Sequence, residues 1–366
     1  MLPTMRPYLV WASRCLGLAR AWLLFAPSLA CTESAEPRRT QQALIYGEDD
    51  RREYFELDSP ELRVRMERSI VAIVPLSRLD EGGRVMARGS LGDLAVLCDG
   101  EPHAEQPAAA LCTGVLVDWD IVLTAGHCLR ALSPDRLAAV FDYYYAAEGE
   151  LQPGQDAVFP VQEIVAEALS SEADGERLDY GFLRLVHAAA PPREPIPIRI
   201  DAPMRGDALT AVTAPGGIPL KADGGGRIAD ARETTLDYFI ADTDTSGGSS
   251  GGPALDQRMR LLGILARGGP DYVPTDSGCQ VVARVGADRA PEEHYTYASR
   301  ALDGLCRDDP GASSLCRPDC GDPCTALPPQ PAVSSSCSIR EGRSRASVLP
   351  IALVLLLLAM HRRKRL

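Results

Sequence analysis

Positive charge and aromatic side chains are both scarce in this sequence of 366 residues. It has 38 basic against 50 acidic residues, only two of the bases are lysines, and aromatic residues make up 5% of the chain. Residues 1–30 hold three arginines and residues 361–366 hold four bases, with no acid in either, so the stretch between has 31 bases against 50 acids. Proteins that bind DNA or RNA need clustered cations that release counterions. This net charge of −19 excludes nucleic acid as an expected partner.

The sequence also has no internal repeat and no zinc-protease motif of the H-E-x-x-H type. The second absence argues against a metal-dependent hydrolase, and we expect neither a metal nor another cofactor. Hydrophobic residues make up 45% of the chain, which is enough for a sizeable core and excludes general disorder. The 32 glycines and 29 prolines favour many turns over long helices.

The first 30 residues have the pattern of a secretory signal peptide. Three arginines precede a short apolar run, 21–26, and residues 28–30 form a small-x-small site of the kind that a signal peptidase cuts. We therefore expect export. Cys31 lies where a lipidated cysteine would follow the cut, but Ser28 does not fit a lipobox, so lipidation at Cys31 stays open.

A second apolar run, residues 346–360, ends in the basic cluster 361–365. The run is short for a bilayer core, which takes about 20 helical residues, and the cations after it predict a cytoplasmic C-terminus. Together with Cys337 and a polar spacer, this arrangement resembles the C-terminal sorting tail of myxobacterial surface proteins. The resemblance implies processing near Cys337, membrane contact through the tail, and a protein at the cell surface or in the periplasm, either anchored or released.

Export permits disulfide bonds, so the 11 cysteines become informative. Cys15 leaves with the signal peptide, and Cys31 and Cys337 are set aside as processing or lipid sites. Eight cysteines remain, an even number, as disulfide pairing requires. They are Cys98, Cys112, Cys128, Cys279, Cys306, Cys316, Cys320 and Cys324. The C-x3-C-x3-C spacing at the end is wider than the C-x2-C pairs of zinc sites, which favours a segment held by disulfides.

Short β-rich runs separated by Gly, Pro or Asp occupy the chain from Ser69 to about Leu305. Many such strands without amphipathic helices between them predict an all-β barrel or sandwich. Apolar residues at near-helical spacing over 290–305 predict a closing helix. We divide the chain into a signal peptide (1–30), an N-terminal segment and candidate propeptide (31–65), the β-rich domain (66–305), a Cys/Pro-rich linker (306–345) and a hydrophobic tail (346–366).

The sequence L-T-A-G-H-C at residues 123–128 carries the strongest local pattern. An apolar strand runs into a turn of small residues that presents His127. A bridge between Cys112 and Cys128 would join two strands and fix the backbone below His127. A general base needs that fixity, because it must stay within about 3 Å of the proton it accepts. Of the five histidines, only His127 has such a frame.

The glycine-rich run G-G-S-S-G-G-P at residues 247–253 is the second pattern. Glycine lets a backbone turn several N–H groups toward one point. With Ser250 as the nucleophile, the N–H groups of Gly248 and Ser250 would form an oxyanion hole. A flexible Gly/Ser linker is the plain alternative, but apolar strands flank the run on both sides.

The third pattern is the strand D-Y-G-F-L-R-L, which begins at Asp179. A carboxylate at the head of an apolar strand is costly unless it has a partner. An imidazole N–H is a suitable partner, and such an Asp179 would select the tautomer in which the other nitrogen of His127 accepts the proton of Ser250.

Together, the patterns around His127, Asp179 and Ser250 resemble the trypsin-like serine peptidases of the chymotrypsin fold, over about residues 66–305. The matches are T-A-G-H-C, the strand that starts at Asp179, and G-x-S-G-G-P, in that family's order. The resemblance implies an all-β fold of two six-stranded antiparallel β-barrels with a C-terminal helix. It implies a monomeric, exported serine endopeptidase that cleaves polypeptides through an acyl-enzyme. The alternative of another class is an inactive peptidase-fold surface protein that only binds partners.

One departure from the animal enzymes and two similar segments point to a bacterial, glutamyl-endopeptidase-like branch. Ser249 stands where the animal digestive enzymes have Asp, so activation through that Asp is not expected in its usual form. The segments 244–248 and 43–51 resemble that branch, and Arg38 and Arg39 suggest cleavage before residue 43.

The resemblance assigns a substrate pocket without deciding its preference. Asp244 lies six residues before Ser250. An Asp at this position selects Arg or Lys in the trypsin branch of the family, but in the bacterial branch it often does not give that selectivity. Leu265 stands where glutamate-specific relatives have His, which argues against that preference. Arg267 could neutralise Asp244 or meet an acidic substrate, so the preference stays open. The pocket residues implied are Asp244, Thr245, Leu265, Ala266, Arg267 and Gly268.

Overall fold

The computed structural model describes residues 45–151, 153–170, 176–286 and 288–328. The expected signal peptide, the hydrophobic tail and the predicted lipid and processing sites lie outside these residues. Within the described ranges, no helix is both long enough and apolar enough to cross a membrane.

Strands dominate the described chain, and α-helices are few and short. The helices are α1 (Pro60–Ser69), α2 (Leu91–Ala95) and α3 (Ala298–Asp308). The strands are β1 (Ile45–Tyr46), β2 (Arg51–Glu53), β3 (Ile70–Pro75), β4 (Cys112–Asp118), β5 (Ile121–Thr124), β6 (Leu137–Val140), β7 (Val158–Leu169), β8 (Asp179–Leu185), β9 (Thr210–Thr213), β10 (Lys221–Asp223), β11 (Ile228–Asp230), β12 (Tyr238–Ala241), β13 (Pro253–Leu255), β14 (Leu261–Arg267), β15 (Tyr272–Pro274), β16 (Gln280–Val282), β17 (Arg284–Val285) and β18 (Glu293–Tyr297).

Six antiparallel strands close the first barrel, in the order β3-β4-β5-β8-β7-β6. Every residue of β3, β4 and β5 is buried, because these strands are mostly runs of aliphatic side chains with a core on both faces. In the register between β5 and β8, Thr124 lies opposite Gly181. The end of β5 therefore meets the beginning of β8.

The second half is an eight-stranded sheet in the order β11-β12-β18-β14-β13-β9-β10-β2. The all-β, two-barrel class with a C-terminal helix is confirmed, but this second unit is an open half-barrel instead of a closed ring of six. Its last strand, β2, comes from the N-terminal segment and pairs antiparallel with β10. The same segment supplies β1, which pairs in parallel with β17. These pairings satisfy edge groups that would otherwise lack partners.

The described residues after α3 pack on the domain. Ile198 and Cys324 exchange two backbone hydrogen bonds of 2.8 Å, and the side chain of Leu315 is buried in the main hydrophobic cluster. Helix α3 itself lies against β8, since a Cβ placed on Gly304 would lie 1.8 Å from the hydroxyl of Tyr180. Residues 306–328 therefore form part of the packed domain.

Disulfide bonds pair all eight cysteines that remained after Cys15, Cys31 and Cys337 were set aside. The bridge between Cys112 and Cys128 joins the start of β4 to the turn after β5. The four bridges are Cys98–Cys279, Cys112–Cys128, Cys306–Cys316 and Cys320–Cys324.

Candidate active site

His127 and Asp179 lie side by side where β5 ends and β8 begins. His127 sits in a short 3₁₀ helix, Gly126–Arg130, directly after β5, and Asp179 is the first residue of β8. The backbone N–H of His127 donates to Oδ1 of Asp179 at 3.0 Å, and Nδ1 of the ring lies 2.8 Å from Oδ2. An ionised Asp179 therefore holds the proton on Nδ1, which leaves Nε2 as an acceptor.

The carboxylate of Asp179 is buried but well supplied with partners. It is 2% exposed, and Nη2 of Arg267, on β14, lies 4.0 Å from Oδ2. The hydroxyl of Thr296, on β18, donates to the carbonyl of Asp179 at 3.1 Å. Both contacts come from the second sheet, so Asp179 links both halves of the domain. The burial cost foreseen for its carboxylate is offset mainly by the two hydrogen bonds to His127.

A glycine permits the close approach of the His127 turn to β7 and β8. A Cβ on Gly126 would lie 2.5 Å from the carbonyl oxygen of Ala168 and 2.7 Å from that of Tyr180. It would also crowd Oδ1 of Asp179 at 3.3 Å. Glycine is therefore required here for packing, since the two nearest neighbours are backbone oxygens that cannot move aside cheaply.

Ser250 lies in the turn before β13, against the same corner of the first barrel. It is 1% exposed, and its carbonyl accepts the N–H of Thr113, on β4, at 2.8 Å. The next residue, Gly251, has φ +79°, and a Cβ there would lie 2.2 Å from Oγ1 of Thr124 and 2.9 Å from the N of Ala125. The serine turn thus packs directly against Thr124 and Ala125, the residues that lead into the imidazole turn.

The predicted oxyanion-hole residue Gly248 has a backbone that only glycine adopts easily. Its φ is +91°, and a Cβ would lie 2.7 Å from the carbonyl oxygen of Ala214 and from the N of Gly217. The carbonyl of Gly248 points to Thr113, whose hydroxyl donates to it at 3.0 Å. Among the described residues, no hydrogen bond uses the N–H of Gly248. This N–H is therefore suited to a developing oxyanion beside Ser250.

Asp244, one of the predicted substrate-pocket residues, accepts hydrogen bonds from the N-terminal segment. Its Oδ1 accepts the N–H of Tyr46 at 2.8 Å and its Oδ2 accepts the N–H of Asp50 at 3.0 Å. The N–H of Asp244 donates to Asp223 at 2.7 Å. Burial raises the pKa of Asp244 to about 6. Burial and the charge of Asp244 raise the pKa of Asp223 to about 7.

The other predicted pocket residues have different surroundings. Thr245 is buried beside Asp244, whereas the side chain of Leu265 packs in the core cluster of the second sheet. Ala266 is buried next to it, and Gly268 lies just after β14. Arg267 is oriented toward the carboxylate of Asp179.

Two residues near the pocket were not found from the sequence. The side chain of Asp271 accepts the N–H of Gly247 at 2.9 Å through Oδ2, three residues before Ser250. The side chain of Arg51 lines the same cavity as Asp271. No local motif marks either residue, because Arg51 is brought there by the pairing of β2 with a strand distant in sequence.

Within the described residues, potential metal ligands gather only around His127, with the sulfurs of Cys112 and Cys128 nearby. These two sulfurs are bonded to each other. They are therefore not the thiolates that a zinc site uses.

Residues 112–264 match a family model described as a trypsin-like peptidase domain. This part of the chain is similar to the trypsin-like peptidases. The match contains His127, Asp179 and Ser250, so the resemblance drawn from the motifs is confirmed at the level of the family. No curated protein matches the chain.

Three solved structures to which this one is similar are proteases by name. The active form of the Rv3671c protease from M. tuberculosis has 17% identity and a TM-score of 0.40, covering 75% of this chain and 93% of that chain. The Vibrio cholerae VesB protease has 16% identity and a TM-score of 0.40, covering 66% and 64% respectively. Kallikrein-related peptidase 10 has 18% identity and a TM-score of 0.36, covering 54% and 89%.

Proposed function

We propose that this protein is a serine endopeptidase that hydrolyses polypeptides with a triad of His127, Asp179 and Ser250. The observation that carries the proposal is the double hydrogen bond between His127 and Asp179, of 2.8 Å at the ring and 3.0 Å at the backbone. This pair lies against the turn of Ser250. A base oriented by a carboxylate beside a hydroxyl is the arrangement that activates a serine.

Each residue has one role in the proposed reaction. Nε2 of His127 takes the proton of Ser250 while Oγ attacks the substrate carbonyl, and Asp179 stabilises the imidazolium that forms. The N–H groups of Gly248 and Ser250 bind the oxyanion. The imidazolium then gives its proton to the leaving amine, and an acyl-enzyme remains on Ser250. Water, deprotonated by His127, releases the acid and restores the serine.

The proposal extends to an exported monomer of the glutamyl-endopeptidase-like branch. Four disulfides in the described chain support export, since such bonds persist in oxidising compartments. Ser249 and the integration of residues 45–53 into the sheet support a branch that does not activate through an Asp before the serine. A signal peptide and a membrane-contacting sorting tail complete the proposed surface protein.

A fluorophosphonate probe tests the nucleophile on the full chain. We expect the probe to label Ser250 of the wild type, and Ser250→Ala to abolish labelling. Ser249→Ala is the matched control: Oγ of Ser249 accepts only the N–H of Ser246, at 3.1 Å, so labelling should remain. Labelling that survives Ser250→Ala would refute the nucleophile. A folded wild type that the probe does not label would favour the alternative, an inactive peptidase-fold protein that binds partners.

A further inference from the structure

The N-terminal segment, residues 45–53, contacts Asp244, one of the predicted substrate-pocket residues. Its strands β1 and β2 pair with β17 and β10, so both of its ends are held in the fold. The N–H groups of Tyr46 and Asp50 take both carboxylate oxygens of Asp244. A substrate side chain therefore does not find Asp244 as a free carboxylate.

The side chain of Arg51 enters the space between this segment and the pocket wall. It is 6% exposed, and Asp49 holds its guanidinium through Nε at 2.8 Å and Nη2 at 2.7 Å. Together with Thr245, Ser246 and Asp271, Arg51 lines a cavity of about 10 Å³. A space of that size holds about one water molecule. Arg51 thus leaves little of this cavity, which Thr245 of the predicted substrate pocket also lines, unfilled.

The remaining space is lined by buried polar atoms that have no hydrogen-bond partner among the residues that the structure describes. They are Oγ1 of Thr245, Oγ of Ser246 and Oδ1 of Asp271. Such atoms are costly to bury unless something small and polar satisfies them. Burial raises the pKa of Asp271 to about 7, while the charge of Arg51 lowers it. The cavity is therefore polar and one guanidinium is already present in it.

We propose that Arg51 fills the primary substrate pocket from below and restricts the residue before the scissile bond to glycine, alanine or serine. This inference rests on the proposed peptidase function. Without Arg51, the cavity gains the volume of a long side chain and keeps the unpaired oxygen of Asp271. The pocket then accepts lysine or arginine, with Asp271 as the partner of the cation.

A peptide library cleaved by the full chain tests the restriction. We expect the wild type to favour glycine, alanine or serine over larger residues by at least about tenfold in kcat/KM, which is about 1.4 kcal/mol. Arg51→Ala should raise kcat/KM for lysine and arginine by about tenfold or more, and Arg51→Ala with Asp271→Asn should lose that gain. Arg52→Ala is the matched control, because Arg52 is the exposed neighbour on β2. Arg51→Met keeps the bulk and should keep the restriction.

Binding of benzamidine gives a second readout that needs no catalysis. We expect Arg51→Ala to bind this aromatic amidine cation at least about tenfold more tightly than the wild type in calorimetry. A wild type that cleaves after arginine, lysine or a large apolar residue would overturn the inference, whether or not Arg51→Ala folds. So would a folded Arg51→Ala protein with unchanged benzamidine affinity. If the wild type neither reacts with the fluorophosphonate nor cleaves peptides, the proposed function fails, and the benzamidine result still decides whether Arg51 fills the pocket.

Discussion

At the scale of single residues, one carboxylate serves both the ring and the backbone of His127. Asp179 binds Nδ1 through one oxygen and the peptide N–H through the other. Since both oxygens are used, Asp179 fixes the rotation of the imidazole as well as its tautomer. An asparagine in its place would keep the shape of the side chain but would replace one of the two acceptor oxygens by an NH2 donor.

Asp179→Asn should lower kcat by about 10⁴-fold, because an amide permits the tautomer with the proton on the wrong nitrogen. Steady-state hydrolysis of a peptide substrate at neutral pH measures this loss. The thermal unfolding transition should stay cooperative, which separates the effect from misfolding. A loss of less than about tenfold would show that Asp179 does not orient the base.

Asp223 should make the free energy of unfolding depend on pH. Its pKa is raised from 3.8 to about 7 by burial and the nearby charge of Asp244, so the folded protein binds its proton more tightly than the unfolded chain does. That stabilisation is complete below about pH 4 and is lost as pH rises toward 7, by up to about 4 kcal/mol. Urea unfolding of the wild type and of Asp223→Asn at pH 5 and pH 8 measures the difference. If the variant has the same pH dependence as the wild type, Asp223 is not the group responsible.

At the scale of elements, the candidate site is held by turns that are tied to strands. The imidazole turn is joined to β4 by the Cys112–Cys128 bridge. The serine turn is joined to the same strand by the hydrogen bond between Thr113 and the carbonyl of Ser250. Strand β4 thus holds both candidate turns.

Replacing Cys112 and Cys128 by alanine should lower the free energy of unfolding by about 3 kcal/mol, the value expected for closing a loop of this length. The bridge spans a sequence separation of 16 residues. We also expect a lower kcat, since the turn of His127 loses a covalent tie. Chemical denaturation and peptide hydrolysis measure the two effects.

The matched control for this bridge replaces Cys320 and Cys324, whose sequence separation is 4. Removal of the Cys320–Cys324 bridge should leave kcat unchanged, because it lies outside the three motifs and Cys324 is hydrogen-bonded to Ile198 instead. Equal losses of kcat in both double variants would contradict a specific role for the Cys112–Cys128 bridge.

At the scale of the whole molecule, local sequence patterns predicted the features that depend on short stretches of the chain. The motifs at His127, Asp179 and Ser250 each combine a strand with a turn, and the buried strands followed from their aliphatic runs. The pairing of β2 with β10 has no such pattern, because it joins chain segments about 170 residues apart. The position of Arg51 depends on that pairing, and the hydrogen bond from Tyr46 to Asp244 depends on the pairing of β1 with β17. The sequence therefore indicated the candidate residues of the site and missed the long-range pairing that brings Arg51 and Tyr46 close to Asp244 and Thr245.

A comparison of His127→Ala, Ser250→Ala and the double variant tests most directly whether these residues act as one unit. We predict that each single change lowers kcat by about 10⁶-fold and that the double change lowers it no further, because either loss already disables the whole triad. Losses that multiply in the double variant, or a single variant with near wild-type kcat, would contradict the account.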